Sequence, residues 1–481
     1  MQTSEYSEYD GLGLADLVRR KDVSATELVN CAIELAEKHD PVLNALMYKA
    51  YDQAREEAKS TDAGTGRYGP FAGVPFLLKD YGGDREGWPS TMSLSFRKDN
   101  VAQHTDTLTE RFLNSGTIPI GQTTVPEMAL IPITESNAYG DTLNPWDTSR
   151  TPGGSSGGSA AFVAAGVVPM AHANDGGGSI RIPASCCGLV GHKPSRGLTP
   201  AGPVAGEVAY GMGINHIVSR TVRDTAAMLD CVSGPGIGDP YGTPKPASTY
   251  ISALDHPPKR LKIAYYSDHW VKPGAMHPEC KIAADNAAKL LSGLGHDVEE
   301  KLPAVSLERL MTGMRIVGLA VVGAGFEAIK QAEGGALSED MFEPFSWKMY
   351  EYSQRVTGPQ VLHSQETLRQ VAREMGQFHE DYDVLVTPCV SSPPIKIGEY
   401  SRVTGAQLHE GDEKYDMWYI SGFQNATGQP SISLPLHQTK DGLPVGVMLT
   451  AGFGKDDLLL SLAGELERAA PWIQNRPPVW A

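Results

Sequence analysis

The chain has 481 residues, 41% of them hydrophobic and 20% charged, a balance that supports a large core and excludes a disordered chain. Its formal charge of −16 argues against a nucleic-acid partner, which needs clustered Lys and Arg, and against docking on an anionic membrane surface. The cysteines Cys31, Cys186, Cys187, Cys231, Cys280 and Cys389 are scattered, with neither zinc-ligand spacing nor the density of a disulfide framework. The start, Met1 to Asp10, is polar and acidic, unlike a secretion signal. The most apolar stretch, Ala160 to Ala173, is too short for a bilayer and is broken by Gly166 and Pro169, so a reduced, cytoplasmic protein is expected.

In chain order, Ser24 with Glu27 three residues later reads as a capping box. Leu28, Val29, Ala32, Ile33 and Ala36 then form one apolar helical face, which Asp40-Pro41 is expected to end. Thr61 to Gly69 reads as a surface loop. Val74 to Leu78 is a buried strand that stops on Lys79-Asp80. Asp106 to Leu113 reads as a helix, and Ile118 to Ile120 as a strand. From Thr151 to Gly197 the composition turns to Gly, Ser and Ala with almost no charge. Further on come a strand at Lys262 to Tyr266, a helix at Ile282 to Leu294, and strands at Val384 to Val386, Ile432 to Leu434 and Val445 to Thr450. Leu458 to Ala469 closes as a helix. Strands alternating with helices indicate an α/β architecture with a covered sheet. Pro235 to Ser248 reads as a connector within one compact unit.

Two clusters dominate the Gly/Ser segment: Gly153-Gly154-Ser155-Ser156-Gly157-Gly158 and Asp175-Gly176-Gly177-Gly178-Ser179. Each alone reads equally well as a turn, but the apolar run Ala160 to Ala165 between them is no flexible linker. A P-loop would need a Lys after the glycines, and none is present near Ser159. Gly153-x-Ser155-x-Gly157 spells a nucleophile elbow, but Asn144 to Arg150 before it is loop rather than strand. Ser95-Phe96-Arg97-Lys98 has the Ser-x-x-Lys pattern without its partner motifs. Gly176-Gly177-Gly178 before Ser179 suits acyl transfer: consecutive glycines let N–H groups converge on an oxyanion, while the Ser needs a base.

These segments resemble the amidase signature family. Thr151 to Gly166 is similar to the first half of its signature; Asp175 to Ala184, Cys187-Gly188 and Gly191 to Pro194 are similar to the second. Gly73 to Asp80 resembles the strand that delivers the family's lysine, and the likeness runs from about Leu14 to Trp472. It implies an α/β/α sandwich with a mixed central sheet covered by helices, as a single amidase domain over 1–481. Within it, 11–60 would be an N-terminal helical region, 60–235 the catalytic signature core, and 249–481 the remainder. The resemblance also implies Ser179 as nucleophile, Ser155 as a bridging serine behind a cis peptide bond, Lys79 as base, and the amides of Gly176, Gly177, Gly178 and Ser179 as oxyanion hole. The spelling His172-Ala173-Asn174 with Arg181 to Ser185 is most similar to the branch of 6-aminohexanoate cyclic-dimer hydrolases. Gln122, Met448 and 172–174 depart from the common family spelling.

On this reading the chain hydrolyses small neutral amides, with carbamates and esters as further substrates, and without metal or cofactor. Met128, Ala129, Leu130 and Ile131 are expected on the acyl side of the cleft. Asp175 and Arg181 are expected to hold the glycine loop, and Cys187 to be inert. His409 to Glu413 lacks ligand spacing and reads as solvated surface. The alternatives are the A subunit of a tRNA-dependent amidotransferase and a non-catalytic binding protein on the same fold.

Overall fold

A computed structural model describes residues 1–400 and 419–481; His409 to Glu413 lie outside them. The N-terminal helices are α1 (Thr3–Tyr6), α2 (Gly11–Arg20), α3 (Ala25–Leu43) and α4 (Tyr51–Asp62). The Ser24–Glu27 capping box opens α3 as expected. Pro41 does not end it. The helix continues to Leu43, because a proline in the last turn removes only one hydrogen bond, and Asn44 closes the helix in the left-handed conformation. The Asp40 carboxylate accepts instead from the amides of Ala45 and Leu46, which steers the chain out.

Strands β1 (Leu46–Lys49), β2 (Pro75–Lys79) and β3 (Ile118–Thr123) form a small sheet in the order β1-β3-β2, with β2 parallel to β3. Every residue of β2 is buried. Between β2 and β3 runs α5 (Thr107–Asn114), and a two-residue pair, β4 (Glu135–Ser136) and β5 (Gly140–Asp141), follows β3. The Gly/Ser segment holds α6 (Gly157–Ala164), β6 (Met170–Asp175), α7 (Arg181–Cys187) and β7 (Val190–Lys193). The apolar stretch noted in the sequence is thus a buried helix running into a buried strand.

Beyond it come β8 (Ile214–Ser219), α8 (Val222–Val232), α9 (Tyr250–Ala253), β9 (Lys262–Tyr265), α10 (Pro278–Gly293), β10 (Asp297–Glu300), α11 (Leu307–Glu333), α12 (Pro344–Ser353), α13 (Gly358–Asp381) and β11 (Val384–Pro388). The chain closes with α14 (Tyr419–Thr427), β12 (Ser431–Gln438), β13 (Pro444–Ala451) and α15 (Asp456–Ala469). The large sheet has eight strands in the order β10-β9-β11-β13-β12-β7-β8-β6. It is mixed: β9 pairs in parallel with β10 and β11, and the remaining pairs are antiparallel. The fold is therefore α/β, a mixed sheet covered by helices. The edge strand β6 packs against β2, which brings the end of the small sheet to the Gly/Ser segment.

Helix α11 packs along α12 and α13. Among the described residues it is the one helix long and apolar enough to cross a membrane by length and composition; its most apolar window has a mean hydropathy of 1.4 and is 33% buried.

Candidate active site

Three elements meet at the end of β2. The strand delivers Lys79 into a fully buried position, 0% exposed. The turn before α6 supplies Ser155, which is 1% exposed and follows a cis peptide bond from Gly154. Gly154 must be glycine, since a Cβ there would sit 2.4 Å from the carbonyl oxygen of Ile133. Lys79 Nζ lies 2.8 Å from Ser155 Oγ, 2.9 Å from Ser156 Oγ and 2.6 Å from Asn174 Oδ1. Ser156 occupies the N-cap of α6 but caps nothing with its side chain. A serine there ordinarily binds the first free amides of the helix; here its hydroxyl is turned to the lysine.

Burial drives the Lys79 pKa well below the usual lysine range; the nearby charges of Asp175 and Asp80 oppose the shift without cancelling it. The positive end of α6, facing the amine, also disfavours a proton on it. Lys79 is held at its backbone too, its N–H donating to His172 Nδ1 at 3.3 Å. Burial, with the Lys79 charge adding to it, drops His172 to about 3, so its ring is neutral and free to accept.

Ser179 stands between β6 and α7, partly exposed, and its hydroxyl makes no hydrogen bond among the described residues. The structure thus joins Lys79 to Ser155 directly and leaves Ser179 partly exposed, bonded to neither. Catalytic hydrogen bonds commonly tighten only once substrate is bound.

The glycine loop divides its amides unequally. Asp175 folds back so that Oδ1 accepts from Gly178 N at 2.7 Å and Oδ2 from Ile180 N at 3.2 Å. The expectation that Gly178 lends its amide to an oxyanion is therefore corrected: that N–H already has a carboxylate partner. The amides of Gly176, Gly177 and Ser179 donate to no acceptor among the described residues. Gly178 has φ +133°, and a Cβ on it would lie 2.4 Å from Ser421 Oγ. Asp175 is fully buried. Burial pushes its pKa up, but the Arg181 guanidinium, bonded to both carboxylate oxygens at 2.9 Å, outweighs that and holds it at about 2.

The four expected acyl-side residues separate. Met128 joins the aromatic cluster of Phe326 and Phe342, Ile131 joins a separate core cluster with Ile182 and Cys186, and Leu130 packs on both. Met128 and Ala129 have φ values of 52° and 56°, in the left-handed region that costs non-glycine residues on the order of 1–3 kcal/mol. They rest on Met92 and Ser93, with φ values of 52° and 56°; Met128 N donates to Met92 O at 2.8 Å. Asp80 holds this turn by accepting from the Thr91 and Ser93 amides. The residue beside the lysine thus supports the floor under Met128. Cys187 is buried, and burial lifts its thiol pKa well above the usual range, as suits a packing residue. Two open cavities, of about 510 Å³ beside Trp146 and about 370 Å³ beside Tyr210, include none of Lys79, Ser155 or Ser179 in their linings.

Sequence reasoning passed over Ser156, His172 and Asn174 as functional positions. The signal was present in the period of two along β6, which puts His172 and Asn174 on one face.

The eight-stranded sheet and its helical cover are those of amidase signature enzymes. A solved structure of 6-aminohexanoate cyclic dimer hydrolase complexed with substrate matches with a TM-score of 0.91 at 34% identity, over 99% of this chain and 100% of that one. A bacterial aryl acylamidase of the amidase signature family matches at 0.88 and 28%, over 97% of each chain. The 6-aminohexanoate-cyclic-dimer hydrolase of Paenarthrobacter ureafaciens is 36% identical over 97% of this chain and 96% of its own length. A model of the Amidase family matches residues 27–460. The chain belongs to the amidase family, and it is an enzyme, a hydrolase acting on amides.

Proposed function

We propose that the chain cleaves the C–N bond of small neutral amides through an acyl-enzyme on Ser179, in the cytoplasm and without cofactor, nucleic acid or membrane partner. The observation that carries this reading is the buried Lys79 amine, 2.8 Å from Ser155 and depressed in pKa. As Ser179 Oγ bonds to the carbonyl carbon, its proton passes to Ser155, whose own proton passes to neutral Lys79. The oxyanion is received by the amides of Gly176, Gly177 and Ser179. When the C–N bond breaks, Ser155 gives a proton to the departing nitrogen and recovers one from Lys79. Water then attacks the acyl-enzyme, its proton follows the same relay, and the acid leaves with Ser179 restored.

Residues 128–133, Met-Ala-Leu-Ile-Pro-Ile, carry no charge to pair with an ionic acyl group, and burying an unpaired charge costs several kcal/mol. The relatives named for a cyclic dimer of 6-aminohexanoate and for aryl acylamides support cyclic and aryl amides as substrates. Carbamates and activated esters pass through a similar tetrahedral intermediate and are expected as further substrates. The test compares kcat/KM for a neutral acyl anilide, glutamine and a charged-acyl anilide. The neutral anilide should lead by at least about tenfold, the discrimination that roughly 1.4 kcal/mol supplies. A preference for glutamine would point instead to ammonia-releasing chemistry of the amidotransferase kind.

A further inference from the structure

We infer that Asn174 is a positioning residue for Lys79: together with Ser156 it takes both N–H bonds of the neutral amine and so aims the nitrogen lone pair at Ser155. The inference rests on the Lys79–Ser155–Ser179 relay proposed above and names what orients its base.

The argument is a count of hydrogens. A neutral primary amine has two N–H bonds and one lone pair, and Lys79 Nζ has three partners. Asn174 Oδ1 can only accept. Its amide cannot be turned the other way, because Nδ2 donates to the Tyr81 carbonyl at 2.6 Å. One N–H of Lys79 is therefore fixed on Asn174. Ser156 Oγ donates its own proton to the backbone carbonyl of Asn174 at 3.4 Å, so toward Lys79 it accepts. That uses the second N–H. Only the lone pair is left for Ser155, whose hydroxyl must then donate to it, the direction that a base requires. Were all three contacts donated by a protonated lysine, Ser155 would have no acceptor there for its proton.

Strand β6 holds the lysine at two points from one face: His172 accepts the Lys79 backbone N–H, and Asn174, two residues on, accepts from its side chain. The titratable groups facing Lys79 are Asp175 and His172 from β6 and Asp80, the residue that follows β2. Asp175 is bound by Arg181, and Asp80 by Thr91 and Ser93. The adjoining α6 and β3 carry no titratable side chain. Asn174 is thus the neutral acceptor closest to the amine, where an aspartate would hold the proton on.

The experiment is the rate of Ser179 labelling by a fluorophosphonate as a function of pH, on the full chain, for the unmodified protein and for Asn174→Ala, Asn174→Asp, Lys79→Ala and Ser179→Ala. Asn174→Ala should slow labelling by about 10- to 100-fold, the effect of a misaimed catalytic group. In Asn174→Asp the acid limb should move to higher pH by at least about 1 unit, since a carboxylate beside a lysine favours its charged form. A merely structural asparagine would change the amplitude and leave the midpoint in place. An unmoved midpoint in Asn174→Asp, or labelling of Asn174→Ala at the unmodified rate, overturns the inference. Labelling that persists in Ser179→Ala, or that ignores Lys79→Ala, overturns the relay itself. Neutron diffraction from the unmodified protein above the acid limb needs no variant to fold. It should show deuterons on Nζ toward Asn174 and Ser156, with the Ser155 deuteron pointing to Nζ. A deuteron on Nζ directed at Ser155 under those conditions also overturns the inference.

Discussion

A lysine buried as completely as Lys79 destabilises the folded chain whenever it has to carry a proton. Its folded pKa is depressed by burial, whereas the unfolded chain keeps a lysine near about 10.4. Between those two values the unfolded state binds more protons, so stability rises with pH, by up to about 1.4 kcal/mol per unit, and levels off above the unfolded value. Lys79→Met removes this slope. The polar partners it leaves behind, Ser155, Ser156 and Asn174, add a penalty that does not depend on pH. The difference in unfolding free energy between variant and parent should therefore shift steadily in the parent's favour as urea titrations move from neutral toward alkaline pH. A difference that stays constant would mean that the lysine is charged in the fold. Activity should follow the same ionisation, kcat/KM rising with pH through the depressed pKa. Lys79→Ala and Ser155→Ala should each lose several orders of magnitude, and the double variant little more, because members of one relay are not additive. At this scale the meeting of Lys79 and Ser155 was legible from the signature spelling. The role of Gly178 was misread because it depends on where the Asp175 carboxylate turns, three residues back; an Asp ahead of a glycine run is a turn signal that points to it.

Where a strand or helix carried a plain pattern, its type was legible: β2, β3, β9, β11, β13 and α3, α5, α10, α15 all lie where alternation or periodicity placed them. Helix α11 was missed. Gly313, Gly318, Gly323 and Gly325 interrupt its pattern, each weakening the helical signal by about 1 kcal/mol relative to Ala, and tertiary packing on α12 and α13 overrides that preference. β6, β7 and β8 were hidden by polar residues such as His172, Asn174, His192, Lys193 and His216, which interrupt the apolar run by which a buried strand is read. The seating of α12 was also unreadable, because it depends on two glutamates far apart in sequence. Glu127, 4% exposed, accepts from the Glu343 amide at the N-cap of α12 at 2.9 Å. Burial, with the Glu343 charge adding to it, raises the Glu127 pKa to about 7. A carboxyl raised in the fold holds its proton where the unfolded chain has released it, so its stability contribution is complete below about 4.3 and is lost as pH climbs to about 7. Glu127→Gln keeps the acceptor and removes the titration. Measured against the parent, its Tm should stand highest at pH 7.5 and fall steadily toward pH 4.5, where the parent's carboxyl is protonated. A gap independent of pH across that range would show that Glu127 ionises normally.

The glycine loop, helix α14 and strand β13 are distant in sequence, and one side chain ties them together. Arg181, fully buried at the start of α7, bonds Asp175 at the end of β6, Gln424 and Asn425 on α14, and the sulfur of Met448 on β13. Asn425 returns to Asp175 through its side-chain amide and reaches the Met212 carbonyl as well. The same Asp175 carboxylate that Arg181 neutralises fixes the Gly178 and Ile180 amides, so the shape of the loop around Ser179 depends on contacts spread across most of the chain. Replacing one partner of such a pair leaves an uncompensated buried charge, a loss of about 3–5 kcal/mol. Arg181→Lys keeps the charge but cannot span Asp175, Gln424 and Asn425 with one compact ammonium. It should unfold at lower urea concentration, and in its folded fraction fluorophosphonate should label Ser179 at least about tenfold more slowly, as expected when an oxyanion donor loses its place. Arg181→Met should be less stable still at neutral pH and should recover part of the difference as pH falls, starting above the ordinary aspartate value, because with the guanidinium gone burial favours the protonated Asp175 carboxyl. Equal stability and equal labelling in Arg181→Lys would show that the charge alone holds the loop, and that the planar fork of contacts to α14 contributes nothing to the site.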